Sequence, residues 1–228
     1  MKIAVHQPNY LPWLGYFYKM FLADVLVILD TAQFTKNGYQ NRVKIKTPTG
    51  DQWLSQPVKL SDGAFKTTNT ITFADTEWRE KHIRTIQMNY GRAQYYSEYI
   101  PELSRLLRSS KKFLSEYNFD LIKWMAEIMG IKVAMVHASE KPSALRGTDR
   151  LVELVNHWGG DVYISGTGGD SYQDIQLFQE AGIRVAHANF VPRPYVQLWG
   201  EFIPGLSIVD LLFNCGSRSL EILVGPGG

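Results

Sequence analysis

Two short apolar runs, Ile3-Ala4-Val5 and Val25 to Leu29, flank a Pro-punctuated loop and a helical stretch. A strand that is apolar on both faces must be covered on both faces, and a mostly parallel sheet with crossover helices does this most directly. The chain therefore begins as a strand–helix–strand unit. Its strand is Lys2 to His6, its loop Gln7 to Pro12, its helix Trp13 to Phe21 with Pro12 just before the first turn, and its second strand Val25 to Leu29.

The same alternation returns later. Apolar strands are expected at Ile131 to Val136, Val162 to Ser165 and Ile183 to Ala188, with helices from Thr148 to Trp158, Ser171 to Glu180 and near Ser207 to Phe213. Asn41 to Lys46 and Gln52 to Val58, joined by a Pro-Thr-Gly-Asp turn, read as a β-hairpin, and Ile71 to Phe73 as a short strand. Three helical patterns, Glu77 to Tyr90, Tyr96 to Leu107 and Phe113 to Met129, fill the middle, the last closed by Gly130. The expected fold class is α/β, with a mostly parallel, doubly wound sheet. Residues 1–224 read as one domain, with 76–130 as a helical layer or cap and 225–228 as a flexible tail.

Composition narrows the setting. No apolar run reaches the length of a membrane span, and the N-terminus enters a strand at once, without the pattern of a signal peptide. One cysteine, Cys215, excludes an internal disulfide framework and fits a reducing cytoplasm; lying after an apolar helix, it reads as a buried, inert thiol. A formal charge of +2 gives no bulk argument for nucleic-acid binding. The five histidines are scattered without metal-ligand spacing, so no metal site is expected, and nothing in the sequence names a cofactor. Twelve Tyr and six Trp suit stacking on sugars or bases, or else line the core and its rim.

Three constellations carry chemistry. His6-Gln7-Pro8-Asn9-Tyr10 lies at the carboxyl end of the first strand, where open α/β sheets place ligands. There His6 is a candidate acid or base and Asn9 a donor and acceptor, unless both only satisfy loop backbone. Asp30 ends the second strand at the same edge and is a second candidate base. After it come Gln33, Lys36, Tyr39, Asn41 and Arg42, with Lys36 and Arg42 candidate phosphate or carboxylate binders. The Gly-rich turn Ser165, Gly166, Thr167, Gly168 to Tyr172 could cradle an anion or could be only a sharp turn; it lacks both the dinucleotide fingerprint and the P-loop lysine.

These residues also carry a resemblance. His6-Gln7-Pro8-Asn9-Tyr10-Leu11-Pro12-Trp13-Leu14-Gly15-Tyr16-Phe17, Ala23-Asp24, Asp30, Gln33-Phe34, Asn41-Arg42 and Lys46 resemble the opening of the WbqC-like protein family. Tyr163-Ile164-Ser165-Gly166 and the block from Phe202 to Gly216 resemble its later segments. The family is associated with bacterial surface-polysaccharide gene clusters of the O-antigen type. The resemblance implies acyl or aminoacyl (glycyl) transfer to an amino sugar, free or nucleotide-linked. The partners would be a sugar nucleotide and an acyl donor such as aminoacyl-tRNA. The opening is also similar in architecture to HIGH-motif nucleotidyltransferases and adenylate-forming enzymes, with Asn9 where their second histidine stands. That similarity implies an ATP-dependent alternative; a non-catalytic sugar-nucleotide-binding protein is a third.

Overall fold

The computed structural model describes residues 1–60, 66–166, 168 and 173–225. Five strands form one parallel sheet: β1 (Lys2–His6), β2 (Val25–Ile28), β5 (Ala134–His137), β6 (Val162–Ser165) and β7 (Arg184–His187), in the order β5-β2-β1-β6-β7. A separate antiparallel hairpin pairs β3 (Arg42–Thr47) with β4 (Gly50–Ser55). The helices are α1 (Leu14–Phe21), α2 (Trp78–Tyr90), α3 (Tyr96–Leu107), α4 (Leu114–Ile128), α5 (Gly147–His157), α6 (Ile175–Glu180), α7 (Ile208–Cys215) and α8 (Ser219–Val224).

The two-residue period of the strands sorts their side chains into two cores. Ile3, Val5, Val25, Val27 and Tyr163 point to the layer that holds Leu151 and Leu154 of α5 and Phe178 of α6. Ala4, Leu26, Ile28 and Ile164 point the other way, into a larger core with α1, the three helices α2–α4, and α7. The fold is thus α/β with a parallel sheet covered on both faces, as the apolar runs demand. Much of the aromatic content is core: Tyr10, Tyr16, Tyr90, Tyr117 and Tyr163 are fully buried.

Chain reversals between helix and strand have a common cause. After α4, Gly130 (φ 72°) lets its own N–H reach the carbonyl of Glu127 and that of Ile131 reach Ala126. After α6, Gly182 (φ 71°) does the same with Gln179, while Ile183 reaches Phe178. Both are glycine stops that need a positive φ and throw an isoleucine back onto the core. The first stop accounts for a difference from expectation: the strand expected from Ile131 begins at Ala134, because residue 131 belongs to the helix cap. Ile71 to Phe73 makes only isolated bridges, to Val58 and Phe113, and α8 was not foreseen. Of the expected tail, 226–228 lies outside the described residues.

The C-terminal block is docked on the N-terminal loop. Ser207 Oγ donates to the Leu11 carbonyl at 2.8 Å, the Ile208 amide donates to Pro12 O at 2.8 Å, and Trp13 and Ser207 form an antiparallel bridge. Ser207 also caps α7, accepting from the Val209 amide at 3.3 Å. Leu11 is held there at φ 40°, a conformation a leucine rarely adopts without such over-determination. Ser207→Ala is expected to lose the cap and leave a buried carbonyl unpaired, costing about 1–2 kcal/mol in urea unfolding. A variant as stable as wild type would show that the tie contributes nothing.

Candidate active site at the carboxyl edge of the sheet

In this strand order β1 has β2 on one side and β6 on the other, so the connections leave its carboxyl end in opposite directions and open a crevice there. A cleft of about 930 Å³ occupies it. Its floor is Val5 and His6 from β1 with Gln7 just after it, Leu29, Thr31, Ala32 and Gln33 from beyond β2, and Tyr163, Gly166 and Gly168 from β6 and its loop. One wall is the segment from Ser139 to Leu151, including Arg146 and Arg150; another is Lys19 from α1.

His6 is in the cleft but is not poised as a cation. Burial first, and the neighbouring Lys19 charge second, push its imidazole down to about 3, so it is neutral at physiological pH. Its ring lies 4.3 Å from that of Tyr16, and its Nδ1 is 3.2 Å from the Gln7 carbonyl. Asp30 leaves β2 at the same edge, yet its carboxylate is already engaged. It accepts from the Ser139 amide at 3.0 Å and hydroxyl at 2.6 Å, and lies 3.5 Å from His137 Nδ1. Burial alone would raise its pKa; the hydrogen bonds from His137 and Ser139 outweigh burial and hold it below the usual carboxylate value. A carboxylate so satisfied ties β2 to the segment after β5 rather than accepting a further proton readily.

The remaining candidates divide. Gln7, Gln33, Gly166 and Gly168 line the cleft with His6. Asn9 is buried beside them in sequence, and Tyr10 points into the core, its hydroxyl 2.9 Å from His82 Nδ1. Lys36 and Tyr39 are exposed and Arg42 lies on the hairpin, its guanidinium 4.1 Å above the Trp53 ring; none of the three lines the cleft. Asn41 donates to the Gln56 carbonyl at 3.0 Å. Ser165 is buried, donating to Gln173 Oε1 at 2.8 Å, while Gln173 in turn donates to the Tyr163 hydroxyl. Thr167 and Tyr172 lie outside the described residues. Among the described residues no group of His, Cys, Asp and Glu could hold a metal ion.

Lys19, Ser139, Arg146 and Arg150 were not anticipated. Arg150 donates to the Ala138 and Lys141 carbonyls at 2.8 and 2.7 Å and pairs with Glu153, so it shapes the wall as much as it charges it. Lys19 had one sequence signal: it falls within the buried stripe Tyr16, Phe17 and Met20 of α1, where a lysine is out of place.

The sequence model of the WbqC-like protein family matches residues 7–222. The chain belongs to that family. It is also 35% identical over 225 residues, 97% of each chain, to an uncharacterised protein of Mycobacterium tuberculosis (strain ATCC 25618 / H37Rv), Rv1507c. In this WbqC-like chain the matched region therefore contains the described cleft lining except Val5 and His6, together with the C-terminal block that braces the loop after β1. No described helix is long and apolar enough to cross a membrane. Cys215 is buried, and burial pushes its thiol up to about 11.

The Asp30–His137 pair predicts a pH signature. Asp30 sits below its unfolded value of about 3.9, so its contribution is complete above that value and fades as pH falls through the folded one. His137 is raised by its hydrogen bond to Asp30, so its contribution is complete below about 6.5 and fades as pH rises through the folded value. The stability difference between wild type and His137→Gln should therefore be greatest between about pH 4 and 6.5 and shrink on either side. Urea unfolding across that range measures it; a difference independent of pH would exclude the linkage.

Proposed function

We propose that this protein is an enzyme of bacterial polysaccharide biosynthesis that transfers an acyl or aminoacyl group to a nucleotide-linked amino sugar in the switch-point cleft. The carrying observation is the fixed charge of the lining: it includes Arg146 and Arg150 and, among the described residues, no Asp or Glu. Such a surface favours a substrate bearing phosphate, and guanidinium groups match phosphate in shape as well as charge. Arg146 and Gly147 open α5, whose first turn has no side-chain cap, so its amide dipoles add to the same preference. In the same lining, neutral His6 and the amides of Gln7 and Gln33 offer hydrogen bonds for a sugar hydroxyl or a developing oxyanion. Family membership supports the polysaccharide setting.

The ATP-dependent reading uses the same cleft, because a His-containing loop at the end of β1 beside a basic switch point also suits a nucleoside triphosphate. Direct assay separates the two: the protein is incubated with a nucleotide-linked amino sugar and an activated acyl ester, with and without ATP, and products are weighed by mass spectrometry. Acylated sugar nucleotide without ATP is the expected result; adenylate or pyrophosphate formation instead would replace this reading. In a thermal-shift titration, a hundredfold excess of sugar nucleotide over Kd stabilises by about 2.7 kcal/mol. Arg146→Ala should weaken that ligand about 10- to 100-fold and leave the free sugar unchanged. Equal effects on both ligands would argue against a phosphate at Arg146.

A further inference from the structure

A lysine is tolerated in a protein interior when its ammonium is paired with an anion, or when it gives up the proton. Lys19 is 5% exposed, lines the cleft from α1, and its Nζ donates a hydrogen bond, 2.8 Å long, to the Val5 carbonyl. No carboxylate faces it among the described residues. From β1 it meets His6, from β6 the ring of Tyr163 at 5.5 Å, and the charged groups on the cleft wall are Arg146, just before α5, and Arg150 of α5, which pairs with Glu153. Among the described residues, Asp30 is a carboxylate at this edge, and it is engaged by Ser139 and His137. An amine anchored by one N–H to a backbone carbonyl, with no carboxylate counter-ion among the described residues, keeps a lone pair once it is deprotonated.

We propose that Lys19 is the proton acceptor of the cleft, taking the proton from the substrate amine as that amine attacks the acyl carbon. This rests on the acyl-transfer reading above. The substrate nitrogen forms the new C–N bond with its lone pair, and the carbonyl π electrons move to oxygen. The intermediate then collapses, expelling the alkoxide or thiolate of an ester or thioester donor with the electrons of the broken bond. The proton held on Lys19 Nζ passes to that leaving group, and the neutral amine is restored. Burial lowers the Lys19 amine to about 7, close to the best value for a base working at neutral pH. His6, at about 3, would hold a proton too weakly for the task.

Two measurements test this. Protein carrying 13C-labelled lysine is titrated by NMR at the ε-carbon, with Lys19→Met identifying the resonance. A midpoint near 7 is expected; one at the ordinary lysine value of about 10.4 overturns the proposal, since the group would be an ammonium at neutral pH. In the acyl-transfer assay, Lys19→Met and Lys19→Arg should each lower kcat at least about 100-fold while sugar-nucleotide Kd changes little. The rising limb of the wild-type pH profile, centred near 7, should disappear, and added methylamine should restore part of the Lys19→Met rate. Lys19→Arg keeps a donor for Val5 O, so it covers the case in which the methionine variant does not fold. Transfer by wild type with undiminished transfer by either folded variant overturns the role of Lys19 and leaves the acyl-transfer reading standing. Absence of transfer by wild type defeats that reading, and the base role with it.

Discussion

The structure depends first on β1 being the middle strand. Its residues pair with β2 from Ile3 to His6 and with β6 from Lys2 to Ala4. A strand bonded on both edges and buried on both faces has no freedom to shift register, because a slip of one residue would exchange Ile3 and Val5 for Ala4 between two differently shaped cores. That rigidity sets where His6 emerges, and the crevice beside it exists only because later strands add to both sides.

The loop that follows β1 is then held by groups distant in sequence. Asn118 of α4 donates to the Pro8 and Gln40 carbonyls at 2.9 and 2.7 Å, and the Tyr10 amide donates to Tyr39 O. Ser207 and Ile208 hold its far end. Deeper in, Asp210 of α7 accepts from Tyr90 at 2.9 Å and Tyr195 at 2.8 Å, while the Tyr90 hydroxyl accepts from the Lys46 amide. Burial raises the Asp210 carboxyl, and the tyrosine donors work against that rise. Satisfied buried polar groups of this kind fix one arrangement among many apolar ones of similar energy. The segment before the hairpin, α4 and the C-terminal block thus hold the loop whose first residue, Gln7, lines the cleft.

The cleft differs from a generic anion site in its two unusual protonation states. Low polarity strips charge from His6 altogether and brings Lys19 to the middle of its titration near neutral pH. Arginines, which do not release their protons, stand on the α5 side. Fixed charge and a titratable amine therefore line one cavity.

By itself the sequence determined what is local. The apolar runs settled parallel strands buried on both faces, Gly130 marked a helix stop, the alternation from Arg42 to Lys46 marked a hairpin, and the loop after the first strand marked the edge where the cleft opens. His6, Gln7, Gly166 and Gly168 were legible as cleft lining because they lie at or just past strand ends, and Gln33 because it lies in the loop beyond β2 at the same edge. Strand order was not legible, since nothing in the segment from Ser139 to Arg150 says that β5 will pair with β2 and carry Ser139 against Asp30. Lys36 and Arg42 look as chemical in sequence as His6 does, yet the hairpin forms its own small sheet and takes Arg42 onto Trp53 instead. Lys19 reads as an ordinary helix lysine until tertiary packing removes water from it. Charge state depends on what surrounds a group in space, and one-dimensional order does not contain that information.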